Sequence, residues 1–469
     1  MNAYSANAIT TSIALRKNSS DIWIGTTGGL FKAKKKDNSY GFTYFAKGNS
    51  KGDLKSNHIT NITLDSYANL WIGSLKGINK YIGRTSIFNF NKLEKFNSKD
   101  NSTARSLLFH SYNTLLVGMN SGLYKYNPNS NSNYKIKTGL NNINLISYNF
   151  EKDKLFLVDN NTLYITEKYN STKKELKLKI IKKFKKSIRD IATISKNETW
   201  IGLWNGGIEI INSVNEISKF KKEVKKRIAN SHTSTLLLAK NNKLWIGTRG
   251  EGLFKIDFNN ETIEEYLPSA KNGLTSRAIL SLYEDSRENI WIGTRGGGLN
   301  KYNKESNNFS HFGKLNGLNS NTISAIEEDK NKNLWLSSQN GIIRFNLRNK
   351  NFRQFGFEDG MEENQFAYNS SSSDKTSKNI YFGCSGGFYT IFTNKFSKKN
   401  KIPTTVITSF TTLGQTKTDQ KKSNLEAFSS HSFDALNSIK LPYNQNNIVV
   451  NFSSLDLTSP NKNKYAYKL

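Results

Sequence analysis

The chain has 469 residues, with 68 lysines and arginines against 37 aspartates and glutamates, a formal charge of +31. Its 12% aromatic content and five prolines exclude a disordered chain in spite of that charge, and its single cysteine, Cys384, excludes a disulfide framework and a cysteine zinc site. Only 12 of the basic residues are Arg and the rest are Lys scattered among many Asn, which reads as genome composition and not as a nucleic-acid footprint, because a footprint clusters on one face and favours the forked guanidinium.

The opening residues, MNAYSANAITTSIALRKN, lack the basic start and apolar centre of a secretion signal. No apolar run reaches the roughly 18–20 residues of a membrane span. Taken at face value this points to the cytoplasm; it equally fits a chain whose natural beginning is missing.

A repeat then begins at once. DIWIGTTGGLFK (residues 21–32), NLWIGSLKGINKY (69–81) and TLLVGMNSGLYKY (114–126) share a pattern that recurs more weakly in KLFLVDNNTLYI (154–165). It returns in ETWIGLWNGGIEI (198–210), KLWIGTRGEGLFKI (243–256), NIWIGTRGGGLNKY (289–302), NLWLSSQNGIIRF (333–345) and NIYFGCSGGFYTIF (379–392). Its equivalent positions are Trp23, Trp71, Leu116, Phe156, Trp200, Trp245, Trp291, Trp335 and Tyr381, separated by 40 to 48 residues. Nine copies at this spacing have the period of a four-stranded propeller blade. Within one copy, residues 278–312 break into four short strands divided by polar and glycine turns, with no helical period. Ile279, Leu280, Leu282 and Tyr283 are apolar on both faces, as for a sheet sandwiched between neighbours, and the repeated Trp reads as packing between blades. Asp65, Asp285 and Asp329 each precede a repeat Trp by six residues, with Asn69, Asn289 and Asn333 four residues on; Asp and Asn close turns through their own backbone. Glu284 and Glu328 sit beside two of them, and repetition around a ring argues against a catalytic pair.

Strands alternate in direction, so the loops between second and third strands and the loops between blades emerge on one side. They carry the variation, as binding loops on a rigid scaffold do. Trp204 lies outside the repeat position, and Arg249 and Arg295 are equivalent in adjacent copies. With Asn205, Glu251, Arg277, Gln339 and Asn340 they are the candidate surface for a polar ligand such as a sugar. Catalytic chemistry is not apparent: His58, His110, His232, His311 and His431 have no metal-ligand spacing, and GTRGGGLNKY joins two strands instead of cradling a phosphate. No catalytic residue, metal or cofactor is expected. The Lys-rich stretches 173–186 and 219–227 alternate with apolar residues and read as strand edges and loops. After Phe392 the repeat stops: NKFSKKNKIPTT reads as a linker, and VITSFTTLGQ, residues 448–452 and residues 465–469 alternate like strands of a β-sandwich that is incomplete at its end.

The WIGT..GGL..Y repeats resemble two-component regulator propeller repeats. DGMEENQF (359–366) with IYFGCSGGFYTIF resembles the last blade of such sensors, and IPTTVITSF with NQNNIVVNFSSLDLTSPNKNKYAYKL resembles the start of the three-tyrosine domain that follows it. The expected fold is all-β: a propeller of four-stranded blades, nine repeats with seven in the complete ring, then the start of a sandwich. The expected domains are 1–101, the last two blades of a truncated first propeller; 102–402, a seven-bladed propeller; and 403–469, the opening of the three-tyrosine domain. Residues 85–96 are expected to supply the missing fourth strand of the final blade.

The resemblance implies the ligand-sensing portion of a hybrid histidine kinase at the periplasmic face of the inner membrane. Such a sensor detects an oligosaccharide, pairs as a homodimer through the sandwich stalk and meets the membrane only through a downstream span. No enzyme activity is expected of this segment, and no nucleic-acid partner. Two other classes stay open: a propeller scaffold for protein–protein interaction, and a propeller polysaccharide lyase or glycosidase.

Overall fold

Short runs with apolar residues on both faces, punctuated by glycine and Asn turns, fold here into antiparallel sheets of three or four strands. The computed structural model describes residues 8–15, 21–36, 39–49, 53–65, 69–81, 87–93, 102–110, 113–149, 153–170, 172–212, 217–269, 273–356, 359–361, 365–374, 379–396, 405–412, 447–454, 457 and 465. Two units divide the chain: Met1–Thr85 with Lys398–Leu469, and Ser86–Ser397.

In the Ser86–Ser397 unit, seven sheets are described. Their first strands are Ala104–His110, Leu145–Asn149, Ile188–Ser195, Thr233–Leu238, Ile279–Glu284, Ile323–Glu328 and Phe366–Asp374, here numbered sheets 1 to 7. Each first strand touches the next, and that of sheet 7 touches that of sheet 1, so the cycle closes. Sheet 7 takes its fourth strand from the far end of the unit: Phe88–Lys92 pairs antiparallel with Gly387–Phe392, Ile391 opposite Phe88 and Gly387 opposite Lys92. Residues 85, 86 and 94–96 of the predicted closing stretch lie outside the described residues.

The repeat aromatic explains why the ring holds together. Trp200 packs with Leu244, Ile246, Phe254 and Ile256 of sheet 4, and Trp245 with Leu282, Ile290 and Ile292 of sheet 5. Trp291 and Trp335 do the same onto sheets 6 and 7, and Tyr381 onto sheet 1. Leu116 and Phe156 complete the series onto sheets 2 and 3. The glycine of the WIG motif admits this approach. A Cβ on Gly293 would sit 2.9 Å from the carbonyl oxygen of Ile323 in the next sheet, and one on Gly247 2.7 Å from Ile279 Cγ2.

The carboxylates six residues before Trp are structural. Asp285 Oδ2 accepts from Trp291 Nε1 at 2.8 Å, while Oδ1 accepts from the backbone N–H groups of Arg287 and Asn289 at 2.9 Å each. Asp329 repeats this for Trp335 (2.9 Å) and Asp65 for Trp71 (3.0 Å). Glu328 accepts from Ser286 N and Oγ, both at 2.9 Å, and so ties the turn of sheet 5 to sheet 6. Sheet 3 substitutes Glu198, which accepts from Trp200 Nε1 at 2.7 Å. Sheet 4 has Ala239 at the carboxylate position, and Trp245 Nε1 is buried without a hydrogen-bond partner.

Sheet 3 departs from the pattern in a second way. The Lys-rich stretch expected to be strand edge or loop is an α-helix, α1 (Lys219–Arg227), N-capped by Ser218, whose hydroxyl accepts from Lys221 N at 3.3 Å. Phe220, Val224 and Ile228 recur every four residues, which is helical spacing, and pack with Ile208 and Ile210. Lys221 pairs with Glu198 (2.6 Å) and Lys225 with Glu209 (3.3 Å), and the basic last turn suits the negative end of the helix dipole. The other basic run does supply an outer strand, Leu178–Lys183 of sheet 2.

One buried carboxylate joins three sheets. Asp190 of sheet 3 accepts from Ile191 N (2.9 Å), from Leu236 N of sheet 4 (2.8 Å) and from Asn369 Nδ2 of sheet 7 (3.1 Å). Burial pushes its carboxyl up to about 6, against the hydrogen bonds, which favour the ionised form.

The other unit holds a four-stranded sheet (Thr10–Leu15, Asp21–Thr26, Gly29–Lys36, Ser39–Phe45) and a three-stranded one (Ile59–Leu64, Leu70–Ser74, Gly77–Tyr81), with Trp23 packed on Ile62, Leu70 and Ile72. Thr405–Thr412 and Ile448–Ser454 pair antiparallel, and Ser454 N donates to Tyr465 Oη at 2.9 Å. Residues 466–469 of the predicted last sandwich strand lie outside the described residues.

Three stability predictions follow from this packing. Ala239→Asp restores the carboxylate that Trp245 lacks and is expected to stabilise by about 1 kcal/mol, the net worth of one buried hydrogen bond; an unchanged melting temperature refutes it. Gly293→Ala should cost about 1–3 kcal/mol, because its Cβ would meet Ser281 Oγ at 2.3 Å and the Ile323 carbonyl oxygen at 2.9 Å, and the second of these is backbone that must move. Asp190 binds its proton more tightly folded than at its ordinary value of 3.8. Stability is therefore expected to fall as pH rises from about 4 through about 6, by roughly 3 kcal/mol in all, and then to level off. Asp190→Asn should flatten that segment of a melting-temperature profile.

Candidate functional site

Two backbone positions recur at one end of the ring. The first is the residue just after each second strand, whose N–H donates to the carbonyl of the loop entering its own sheet: Trp204 to Ser187, Arg249 to His232 and Arg295 to Ala278, each at 2.9 Å. The loops between second and third strands thus bond to the loops between sheets, as the predicted shared face requires. The second position is a bulge at the start of the first strand. Pairing with the second strand skips Arg105 in sheet 1, Arg189 in sheet 3, Ser234 in sheet 4, Leu280 in sheet 5 and Ser324 in sheet 6. In sheet 7 it jumps from Phe366 to Ser371, past Tyr368 and Asn369. A bulge leaves its extra residue unpaired and re-aims the side chain.

These positions bring one cluster together. The Arg189 guanidinium lies 4.7 Å from the centre of the Trp204 ring, and the Arg249 guanidinium 5.9 Å from it. Arg249 also spans from sheet 4 to sheet 7, where it sits 4.6 Å over the Tyr368 ring. His232 meets Trp204 edge-on at 4.9 Å, and its Nδ1 is 3.9 Å from Glu251 Oε1. Beneath, Asp190 and Asn369, each next in sequence to Arg189 or Tyr368, hold sheets 3 and 7 together.

The electrostatics are one-sided. Burial lowers the Arg249 pKa; Tyr368 opposes this, and the like charges of Arg295 and Arg189 add to it. Burial and then Arg105 lower that of Arg189. The arginine ion pairs found among the described residues are Arg227–Glu265 and Arg344–Asp329, neither of them here. Arg249 Nε and Glu251 Oε2 are buried without hydrogen-bond partners. Four of the chain's 12 arginines are therefore linked electrostatically in the order Arg105, Arg189, Arg249, Arg295, and the middle two stand beside aromatic rings. Such an arrangement can stack a flat ring and offer forked donors to a polar or anionic group.

Of the predicted surface, Trp204, Arg249 and Glu251 belong to this cluster, and Arg295 acts on Arg249 through its charge. Asn205 occupies a turn position with a left-handed φ of 52°. Arg277 is exposed, and its carbonyl accepts from Gly252 N at 3.2 Å. Asn340 donates to the Asn319 carbonyl at 3.1 Å and accepts from Gln354 Nε2, so it builds the turn of sheet 6 beside the exposed Gln339. Sequence reasoning missed Arg105, Arg189, His232, Tyr368 and Asn369, because it sorted loops and stopped where the strands begin. The available signal was positional: Arg105 and Arg189 follow the first residue of a first strand, where other copies carry Ser or Leu.

A cavity of about 290 Å³ lies between sheets 4 and 5, lined by Trp245, Lys255, Glu264 and Tyr302 among others. Lys255 Nζ is committed there to Glu264 (2.6 Å), Tyr266 (3.1 Å) and Tyr302 (3.2 Å). No group of three or more metal-ligating side chains occurs among the described residues, and no helix among them is long and apolar enough to cross a membrane.

Comparison with known proteins places the fold. The extracellular domain assigned to the hybrid two-component system BT3049 of B. thetaiotaomicron superposes with a TM-score of 0.71 at 21% identity, over 96% of this chain and 60% of that one. The corresponding domain of BT4673 from the same organism gives 0.51 at 18% identity, again over 96% and 60%. The chain thus spans three-fifths of the length of these structures. No curated protein sequence matches it. The family model described as two component regulator propeller matches residues 273–296 and 317–340, each running from the loop between sheets through the second strand. The chain therefore carries two-component regulator propeller repeats, on the propeller fold of these extracellular sensor domains.

Proposed function

We propose that this chain is the ligand-reading part of an extracytoplasmic two-component sensor, and that an oligosaccharide bound at the Trp204–Arg249–Tyr368 cluster is its signal. The observation that carries the reading is the convergence of stacking rings and forked donors from sheets 3, 4 and 7 at one end of the ring. A pyranose presents an apolar face for an aromatic ring and hydroxyls for guanidinium donors, and the cluster supplies both. The likeness to extracellular domains of hybrid two-component systems supports a sensing role and a periplasmic setting.

In this reading residues 102–402, closed by Phe88–Lys92, form a seven-bladed propeller; residues 1–101 hold two blades of a preceding one; and residues 403–469 begin a three-tyrosine sandwich. That sandwich serves as the stalk for homodimerisation and relays the signal to a histidine kinase. Ligand must favour one arrangement of propeller and stalk over another for any signal to pass.

Titration calorimetry of the chain against a panel of defined oligosaccharides tests the reading. Trp204→Ala should weaken a bound glycan by about tenfold or more, the equivalent of about 1.4 kcal/mol, with the melting temperature unchanged because Trp204 lies outside the cores between sheets. Binding indifferent to Trp204→Ala refutes the site. Cleavage of the glycan would indicate a lyase or glycosidase instead. Capture of a protein without glycan binding would indicate a scaffold.

A further inference from the structure

The cluster has a property that a neutral sugar does not require. Arg105 and Arg189 are the bulge residues of sheets 1 and 3, Arg249 and Arg295 the first loop residues of sheets 4 and 5, so four positively charged forks come from four different sheets. In a chain that uses Lys for most of its basic residues, their meeting at one place is not compositional drift. Assembling like charges raises the energy of the empty site: burial first, and then the like charges of neighbouring arginines, lower the pKa values of Arg189 and Arg249. The one carboxylate of the cluster, Glu251, faces His232 at 3.9 Å, and its other oxygen is unpartnered. Arg249 Nε, a buried donor, has no acceptor either. Its guanidinium lies 5.9 Å from the centre of the Trp204 ring and 4.6 Å from that of Tyr368, so a ligand reaching the unsatisfied Nε arrives beside two aromatic rings.

We infer that the ligand is acidic: an oligosaccharide carrying a carboxylate or sulfate that Arg189 and Arg249 clasp, with the sugar ring that bears it stacked on Trp204. Both groups present coplanar oxygen pairs that match the guanidinium fork, which a Lys would not discriminate. Arg105 and Arg295 flank the pair and favour a second negative charge on the neighbouring residue of the glycan. The inference rests on the oligosaccharide reading above for the sugar, and on the arginines alone for the charge.

The test separates the two. In the first arm, the melting temperature of the chain is measured in sodium sulfate and in sodium chloride at equal ionic strength. Sulfate raises stability generally by exclusion from the surface, so the readout is the extra rise in the natural chain over the Arg189→Gln, Arg249→Gln double variant. The Lys179→Gln, Lys183→Gln double variant, two exposed changes on the outer strand of sheet 2, serves as the charge-matched control. An extra rise lost in the arginine double variant and kept in the lysine double variant is expected; equal rises in all three overturn the inference. Should the arginine double variant melt low in chloride, the single Arg189→Gln variant, at an exposed bulge residue, carries the comparison.

In the second arm, calorimetry compares a galacturonic acid trimer, a 6-sulfated galactose trimer and the neutral galactose trimer. The acidic trimers should bind at least tenfold more tightly than the neutral one, and Arg189→Gln should erase most of that ratio. Preference between carboxylate and sulfate identifies the source of the charge. Equal binding of neutral and acidic trimers overturns the inference and leaves the sensor reading standing. A sulfate effect without binding of any trimer leaves the anion site and refutes the oligosaccharide.

Discussion

The contact on which the Ser86–Ser397 unit depends is the wedge of one large side chain from each sheet into the face of the next. Sheets of short strands, apolar on both faces, have no stable end: any terminal sheet exposes a face of Leu, Ile and Phe to water. Closing the cycle removes both ends at once. Trp200, Trp245 and Trp335 are almost wholly buried as a result, and so is Tyr381 where sheet 7 meets sheet 1. The glycine two residues after five of the seven wedges matters as much, because backbone or side chain at the start of the next sheet occupies the volume a Cβ would need. Closure also explains why Phe88–Lys92 leaves the copy that precedes it in sequence. Paired with Gly387–Phe392, it joins the start of the unit to its end and covers what would be an open sheet edge.

A ring fixed in this way leaves its loop face free to diverge, and the departures from the repeat gather in sheet 3. Glu198 replaces the usual turn carboxylate, α1 lies beside Gly207–Asn212 where other sheets have a fourth strand, Asp190 is buried, and Trp204 replaces a small polar or basic loop residue. Local rules are broken most often where a protein recognises something, and two of these four changes stand in or directly under the arginine cluster. The other two adjust the packing that supports it. α1 brings Lys221 to Glu198, which holds Trp200. Asp190 fixes the bulge from which Arg189 projects and couples it to Asn369 beside Tyr368. The bulge that carries Arg189 is thus tied at its base to sheets 4 and 7.

Much of this fold is legible in the sequence because the wedge repeats. A Trp followed by Ile-Gly every 45 residues or so marks the second strand, and the turn Asp and Asn mark what precedes it. α1 was not legible in the same way: Lys alternates with apolar residues on a strand and on a helix alike over nine residues, and only the Phe220, Val224, Ile228 spacing separates them. The site was half legible. Trp204, Arg249 and Arg295 stand out because they interrupt a glycine loop, whereas Arg189 and Tyr368 sit inside strands whose pattern says only that they belong to a sheet. What places them at the mouth is a shift in register at a bulge, of one residue at Arg189 and of three around Tyr368, and register is a property of paired strands that a single strand's sequence does not contain.

The charge of the chain reads differently at each level. As a sum, +31 suggests an anionic partner; as a composition dominated by Lys, it suggests drift. The structure separates two populations. Many lysines are exposed, among them Lys179 and Lys183 of the outer strand Leu178–Lys183, where charge helps keep a sheet edge from pairing. At the mouth arginine takes over, brought there by bulges and loop starts that are equivalent around the ring. The diffuse lysine field draws any anion in and weakens with salt, but it does not select among anions. Selection needs donors of fixed geometry in a place where water is partly excluded, and on the acidic-ligand proposal those are the guanidinium groups of Arg189 and Arg249 beside Trp204. On that proposal steering and recognition fall to different residues, so the affinity of an acidic glycan and its dependence on salt should vary independently with mutation.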